Sequence, residues 1–189
     1  MAEAATQQTP TEALIATLDL PQGGWSDAAR KDALSRLQQA GLPERRDEYW
    51  KYTRPDTLTQ PQAVSAAVRA SEDVTLFDQI DRLKLVFVDG VFDADASDDL
   101  ALEGITIERL AQADADLHWA RDLYGTLEKN GQTPVARPLA ALNTAFAADG
   151  VLIHVTDKVS KPVNIVYRRT SDTADVMLHH VVKLDAGAA

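Results

Sequence analysis

The chain has 189 residues, 45% of them apolar and 25% charged, with 19 basic against 29 acidic side chains and a net charge of −10. With no cysteine, it holds no disulfide, thiolate zinc site, cysteine nucleophile or cysteine-ligated iron–sulfur cluster of its own. The acidic balance, with no basic run longer than Arg45-Arg46 or Arg168-Arg169 and no apolar run near the ~20 residues that span a bilayer, argues against nucleic acid and membrane and for a soluble cytoplasmic protein.

Residues 1–8 are small and polar, without the basic and apolar regions of a secretory signal or the arginine of a transit peptide. A first helix starts well: Thr9 as cap, Pro10 at the first helical position, and Glu12 at capping-box spacing. Leu14, Ile15 and Leu18 share its inner face, and Leu20-Pro21-Gln22-Gly23-Gly24 ends it. The second helix has Ser26 as N-cap and Asp27 at the positive end of the dipole. Its buried stripe is Ala33, Leu34, Leu37 and Ala40; Gly41 and Pro43 stop it.

Then comes GLPERRDEYWKYT (41–53), expected to be extended or irregular, like the rest of 44–58. Tyr49, Trp50 and Tyr52 have two readings. They cover a seam between the helical front and the rest, with Glu48 and Lys51 in water or paired with Arg45 and Asp47. Otherwise Tyr49, Trp50, Lys51 and Tyr52 form an exposed partner-docking patch, since Trp and Tyr dominate binding hot spots.

Residues 61–70 are weakly helical, and 71–82 are ambiguous between short helix and loop. LKLVFVDGVFD (83–93) predicts strand, tight Asp89-Gly90 turn and strand, with both faces of the first strand covered. ITIERL (105–110) reads as a short strand. Residues 113–128 predict a helix with Leu117, Ala120, Tyr124 and Leu127 inward, ended by the 130–134 turn residues. Another helix has Pro138 near its start, Leu139, Leu142, Ala145 and Phe146 on its inner face, and Asp149-Gly150 as its stop. Three strands follow, at 151–155, 163–169 and 176–184. The order is α+β, in three parts: a helical region (1–60) with the WKYT segment, a mixed α/β segment (61–150) and a strand region (151–189). Three short strands leave a sheet edge unfinished. The chain is therefore expected to be the front of a longer protein, or to have its edge covered by a partner.

Candidate chemistry is sparse. His118 and Asp114 lack a third ligand, and His179 and His180, adjacent on a strand, point to opposite faces and cannot chelate one ion. His154 and one of that pair could share a face across strands. Ser171, Asp172 and His179 carry the residue types of a triad, but no nucleophile elbow surrounds a serine. The late carboxylates, Asp157, Asp172, Asp175 and Asp185, lie at turns or ends; a β-helix carbohydrate-active enzyme would need acidic pairs on one strand face.

GLPERRDEYWKYT resembles a signature near the start of proteins of the SufB/SufD family, from the Suf iron–sulfur cluster assembly system. LVFVDGVFD is similar to a second family segment. A third match runs from Arg137 to Arg169 through Leu142-Asn143-Thr144-Ala145, Asp149-Gly150 and Lys161-Pro162. The early WKYT points to the SufD branch, because SufB shares the later passages. The resemblance implies a protein about twice as long, in which the helical and mixed α/β segments lead into the first coils of a right-handed parallel β-helix. It implies a non-catalytic scaffold that works with a SufB-like paralogue and a SufC-like ATPase. An Fe–S cluster is then handled by the whole complex, with no cofactor held by this portion. The family's docking and cluster-interface residues lie beyond these motifs, so no catalytic, cofactor or metal residue is transferred to this chain. A homo-oligomer through the exposed β-helix end is the further expectation.

Overall fold

A computed structural model describes residues 8–68, 77–113, 118–130 and 135–189. The chain divides into two compact units, Met1–Val64 with Tyr124–Phe146, and Ser65–Leu123 with Ala147–Ala189.

The first unit is helical. Helix α1 (Pro10–Ile15) begins with the expected capping box: Thr9 N donates to Glu12 Oε2 at 2.8 Å, and Glu12 N to Thr9 Oγ1 at 3.2 Å. Helix α2 (Asp27–Ala40) ends at Gly41, whose φ of 70° any other residue would resist. Ser26 occupies its N-cap, but its hydroxyl accepts from Arg30 Nε at 3.0 Å instead of capping. The buried stripe is Arg30, Ala33 and Leu37; Ala40, expected inside, is exposed.

Helix α3 (Thr126–Asn130) and helix α4 (Pro138–Phe146) complete this unit, with α4 packed on α2. Leu142, Ala145 and Phe146 of α4 are buried as expected. The helix expected over 113–128 is broken. Residues 114–117 lie outside the described residues. A 3-10 turn at Trp119–Asp122 follows, then Gly125 at φ 72°, then α3. Leu127, expected inward, is exposed, because Glu128 is the residue that α3 turns to α2, in a two-pronged bond with Arg36.

The second unit holds two three-stranded sheets. The strands are β1 (Leu83–Val88), β2 (Val91–Phe92), β3 (Ile105–Arg109), β4 (Val151–Val155), β5 (Val163–Arg168) and β6 (Val181–Leu184). One sheet has the order β2-β1-β5 and the other β3-β4-β6. The β1–β2 hairpin forms as expected, with Asp89 at φ 48° and Gly90 at φ 84°. The three late strands do not form one sheet: β4 and β6 share one, while β5 joins β1 in the other. β5 runs parallel to β1, and β6 parallel to β4. Leu83, Leu85, Phe87, Ile107, Val151, Ile153 and Val155 form the core of this unit. Val86, on the other face of β1, is also buried, so that strand is covered on both sides.

The strand expected over 176–184 begins only at Val181, for a reason that lies in a histidine side chain described below. Residues 61–68, expected to be weakly helical, hold no helix, and 69–70 lie outside the described residues. Of 71–82, expected as short helix or loop, 71–76 lie outside the described residues and 77–82 turns without a helix. No helix among the described residues is long and apolar enough to cross a membrane.

Candidate functional site: an exposed aromatic turn and two structural motifs

Beyond α2 the chain is held by small polar bonds. Leu42 N donates to Thr11 Oγ1 at 3.1 Å, and Pro43 is buried. Asp47 accepts from Glu44 N through Oδ2 at 2.9 Å, while its own N–H returns to Glu44 O at 3.0 Å. This closed turn starts a 3-10 turn at Glu48–Trp50, and a second 3-10 turn follows at Pro55–Leu58. The segment therefore takes the irregular of the two forms expected for it, as successive turns. Asp47 uses its carboxylate on the backbone, and Lys51 lies over the Tyr52 ring, Nζ 4.9 Å from its centre.

The turn sets the aromatics outward. Tyr49 is 66% exposed and Tyr52 91%, while Trp50 is partly buried. Tyr49 and Trp50 wall a groove of about 300 Å³ with Arg137, Pro138 and Leu139 at the start of α4. A second groove of about 380 Å³ runs on the α2 side of Trp50, past Pro43 and Asp47. Such a surface offers stacking area and cationic side chains.

The other two motifs hold the sheet unit together. The Asp89 carboxylate accepts from Thr170 N at 2.9 Å, from Ser171 N at 3.1 Å and from the Thr170 hydroxyl. Those bonds, the Thr170 hydroxyl first, pull its pKa below the ordinary aspartate value. Asp149 is buried and bonded on both oxygens. Oδ1 accepts from Gly150 N at 2.8 Å and Ala111 N at 3.2 Å, and Oδ2 from Arg109 Nε at 3.0 Å. Gly150 leaves no room for a side chain, since a Cβ there would meet the His179 carbonyl oxygen at 2.0 Å. At Lys161-Pro162, the Pro162 carbonyl accepts from Leu83 N at 2.9 Å and so starts the β1–β5 pairing.

The histidines go to separate partners. His118 is buried; its Nε2 lies 3.2 Å from Glu108 Oε2, and its Nδ1 accepts from Ala120 N at 3.1 Å, capping the 119–122 turn. His154 Nε2 bonds Asp185 Oδ1 at 3.0 Å beneath the Trp119 ring. His180 bonds Tyr167 and the backbone of Val151, so His154 and His180 do not converge. Nor do the late carboxylates: Asp185 takes His154, Asp157 the Lys158 N–H, and Asp172 the Ser65 hydroxyl. Among the described residues no group of three or more His, Asp or Glu is placed to hold a metal ion.

Sequence reasoning missed Arg30. Its guanidinium is buried, donates to the Ala145 carbonyl at 3.0 Å and lies 5.3 Å from the centre of the Tyr124 ring. Burial lowers the pKa of Arg30 and raises that of Tyr124 to about 12. The signal was present: Ser26, Arg30, Ala33 and Leu37 lie on one helical stripe.

These motifs coincide with a family match. Residues 22–165 fit the model of the SufBD protein N-terminal region, and the chain belongs to that family. Within it the chain is SufD-like. It is 31% identical, over 175 residues, to the iron-sulfur cluster assembly protein SufD of Escherichia coli (strain K12), a match that covers 80% of this chain and 38% of that protein. The chain thus spans well under half the length of the curated relative it matches.

Proposed function

We propose that this chain forms the N-terminal portion of a SufD-like scaffold in iron–sulfur cluster assembly, with a SufB-like paralogue and a SufC-like ATPase as partners. The observation that carries this reading is its 31% identity to SufD across most of its own length. The role is mechanical and non-catalytic, in the cytoplasm, and the cluster is the cargo of the whole complex. The chain itself supplies two surfaces.

The first is the turn carrying Tyr49, Trp50, Lys51 and Tyr52, which docks a partner through its exposed rings. The second is the outer edge of β5 and β6. Each of these strands is paired in parallel on one side only, and Val182 and Leu184, on the face of β6 that follows Ile153 and Val155, are more than half exposed. An apolar trough of about 470 Å³, walled by Ile153, Val155, Val163, Ile165 and Val182, opens beside them. Parallel pairing with an apolar interior is what the first coils of a right-handed β-helix require, and the next coil seats on this edge. The other occupant this edge could take is a second copy of the chain, pairing strand to strand.

Removing the protein from its own cells tests the assignment. Acid-labile sulfide in purified Fe–S enzymes should fall and recover when the protein is restored. Unchanged sulfide would overturn it.

A further inference from the structure

The ladder between β4 and the segment before β6 keeps its register across a gap. Asp149 sits opposite Leu178 and Leu152 opposite Val181, with His179 N donating to Asp149 O at 3.0 Å. Inside this stretch Val151 N donates to His180 Nδ1, at 2.9 Å, and not to a backbone carbonyl. An imidazole thus replaces the main-chain acceptor of a parallel ladder.

The other ring nitrogen reaches the second sheet. His180 Nε2 lies 2.8 Å from the Tyr167 hydroxyl on β5, and the ring sits edge-on to Phe87 of β1, centres 5.8 Å apart. A backbone N–H can only donate, so Nδ1 carries no proton and Nε2–H donates to Tyr167. Both bonds hold together only in the neutral tautomer.

We propose that His180 is a pH-sensitive latch that ties β4 of one sheet to β5 of the other and releases when its imidazole is protonated. A proton on Nδ1 removes the acceptor that Val151 N–H needs, in a place where the Val151 side chain is fully buried. Facing titratable groups are Tyr167 from β5 and Asp149 from the turn before β4; the Asp149 charge is shared with Arg109 of β3. Burial lowers the His180 pKa and the Asp149 carboxylate partly offsets it. Release frees the start of β6, at the edge proposed above to take the next coil.

Amide exchange of the full chain, corrected for intrinsic rates, tests this. The Val151 amide should lose protection by about tenfold or more between pH 7.5 and 5.0, while the Leu85 amide in β1 keeps its own. In His180→Asn the side-chain oxygen accepts in place of Nδ1 without titrating, so Val151 protection should stay level with pH. Constant Val151 protection in the natural chain would overturn the proposal, as would an equal loss at Leu85 or an equal loss in His180→Asn. If that variant does not fold, the natural chain decides alone.

Discussion

Asp89 Oδ1 accepts a hydrogen bond from Thr170 N at 2.9 Å, so the β1–β2 turn is tied to the loop after β5, 81 residues away. A turn residue chosen for its positive φ thereby also fixes a long-range contact. The Asp89 pKa is depressed in the folded chain, so its contribution to stability is complete above the ordinary aspartate value of 3.8 and is lost as pH falls from there through the folded value. Asp89→Asn retains the turn preference but removes this carboxylate. Its melting temperature should be lower than that of the natural chain at pH 7, with the difference shrinking below pH 4. A difference constant with pH would contradict the assignment.

Gly150→Ala is predicted to be among the most damaging small substitutions. Its Cβ would sit 2.0 Å from a backbone oxygen, which cannot swing away like a side-chain tip. The cost should be about 3 kcal/mol or more by urea denaturation. Gly23→Ala, with open space around it but φ at 89°, should cost about 1 kcal/mol.

Arg30→Ala takes the donor from the Ala145 carbonyl and the Ser26 hydroxyl and also empties a buried volume, and should cost about 2–3 kcal/mol. Arg30→Met refills most of the volume and should cost clearly less. Equal losses in urea titrations of the two would show that charge, and not packing, governs the site.

Tyr52→Ala and Tyr49→Ala should change unfolding free energy by no more than about 0.5 kcal/mol, since both rings stand in solvent. The same variants of the full-length protein should bind its partners more than about tenfold more weakly, measured by titration of the purified components. Normal binding would remove the docking role of this turn.

What the sequence disclosed was local. The Thr9–Glu12 capping box, the Gly41 stop, the Asp89-Gly90 hairpin and β4 each depend on neighbours in the chain, and each formed where expected. The broken 113–128 helix depends on a side-chain cap by His118 and a left-handed Gly125, which compete with an otherwise helical pattern. Strand partners were hidden, because the apolar alternation in β5 and β6 says which face is buried and not which strand lies beside it. Of the candidate site, the four residues were legible as a cluster, while the outward setting of Tyr49 and Tyr52 and the partial burial of Trp50 rest on the Glu44–Asp47 turn, which has no apolar periodicity to announce it.

Co-purification of the protein from its own cells, with quantitative mass spectrometry, decides whether it works in a Suf complex. A SufB-like paralogue and a SufC-like ATPase should be recovered in fixed ratio to the bait. Recovery of the bait without either would contradict that role.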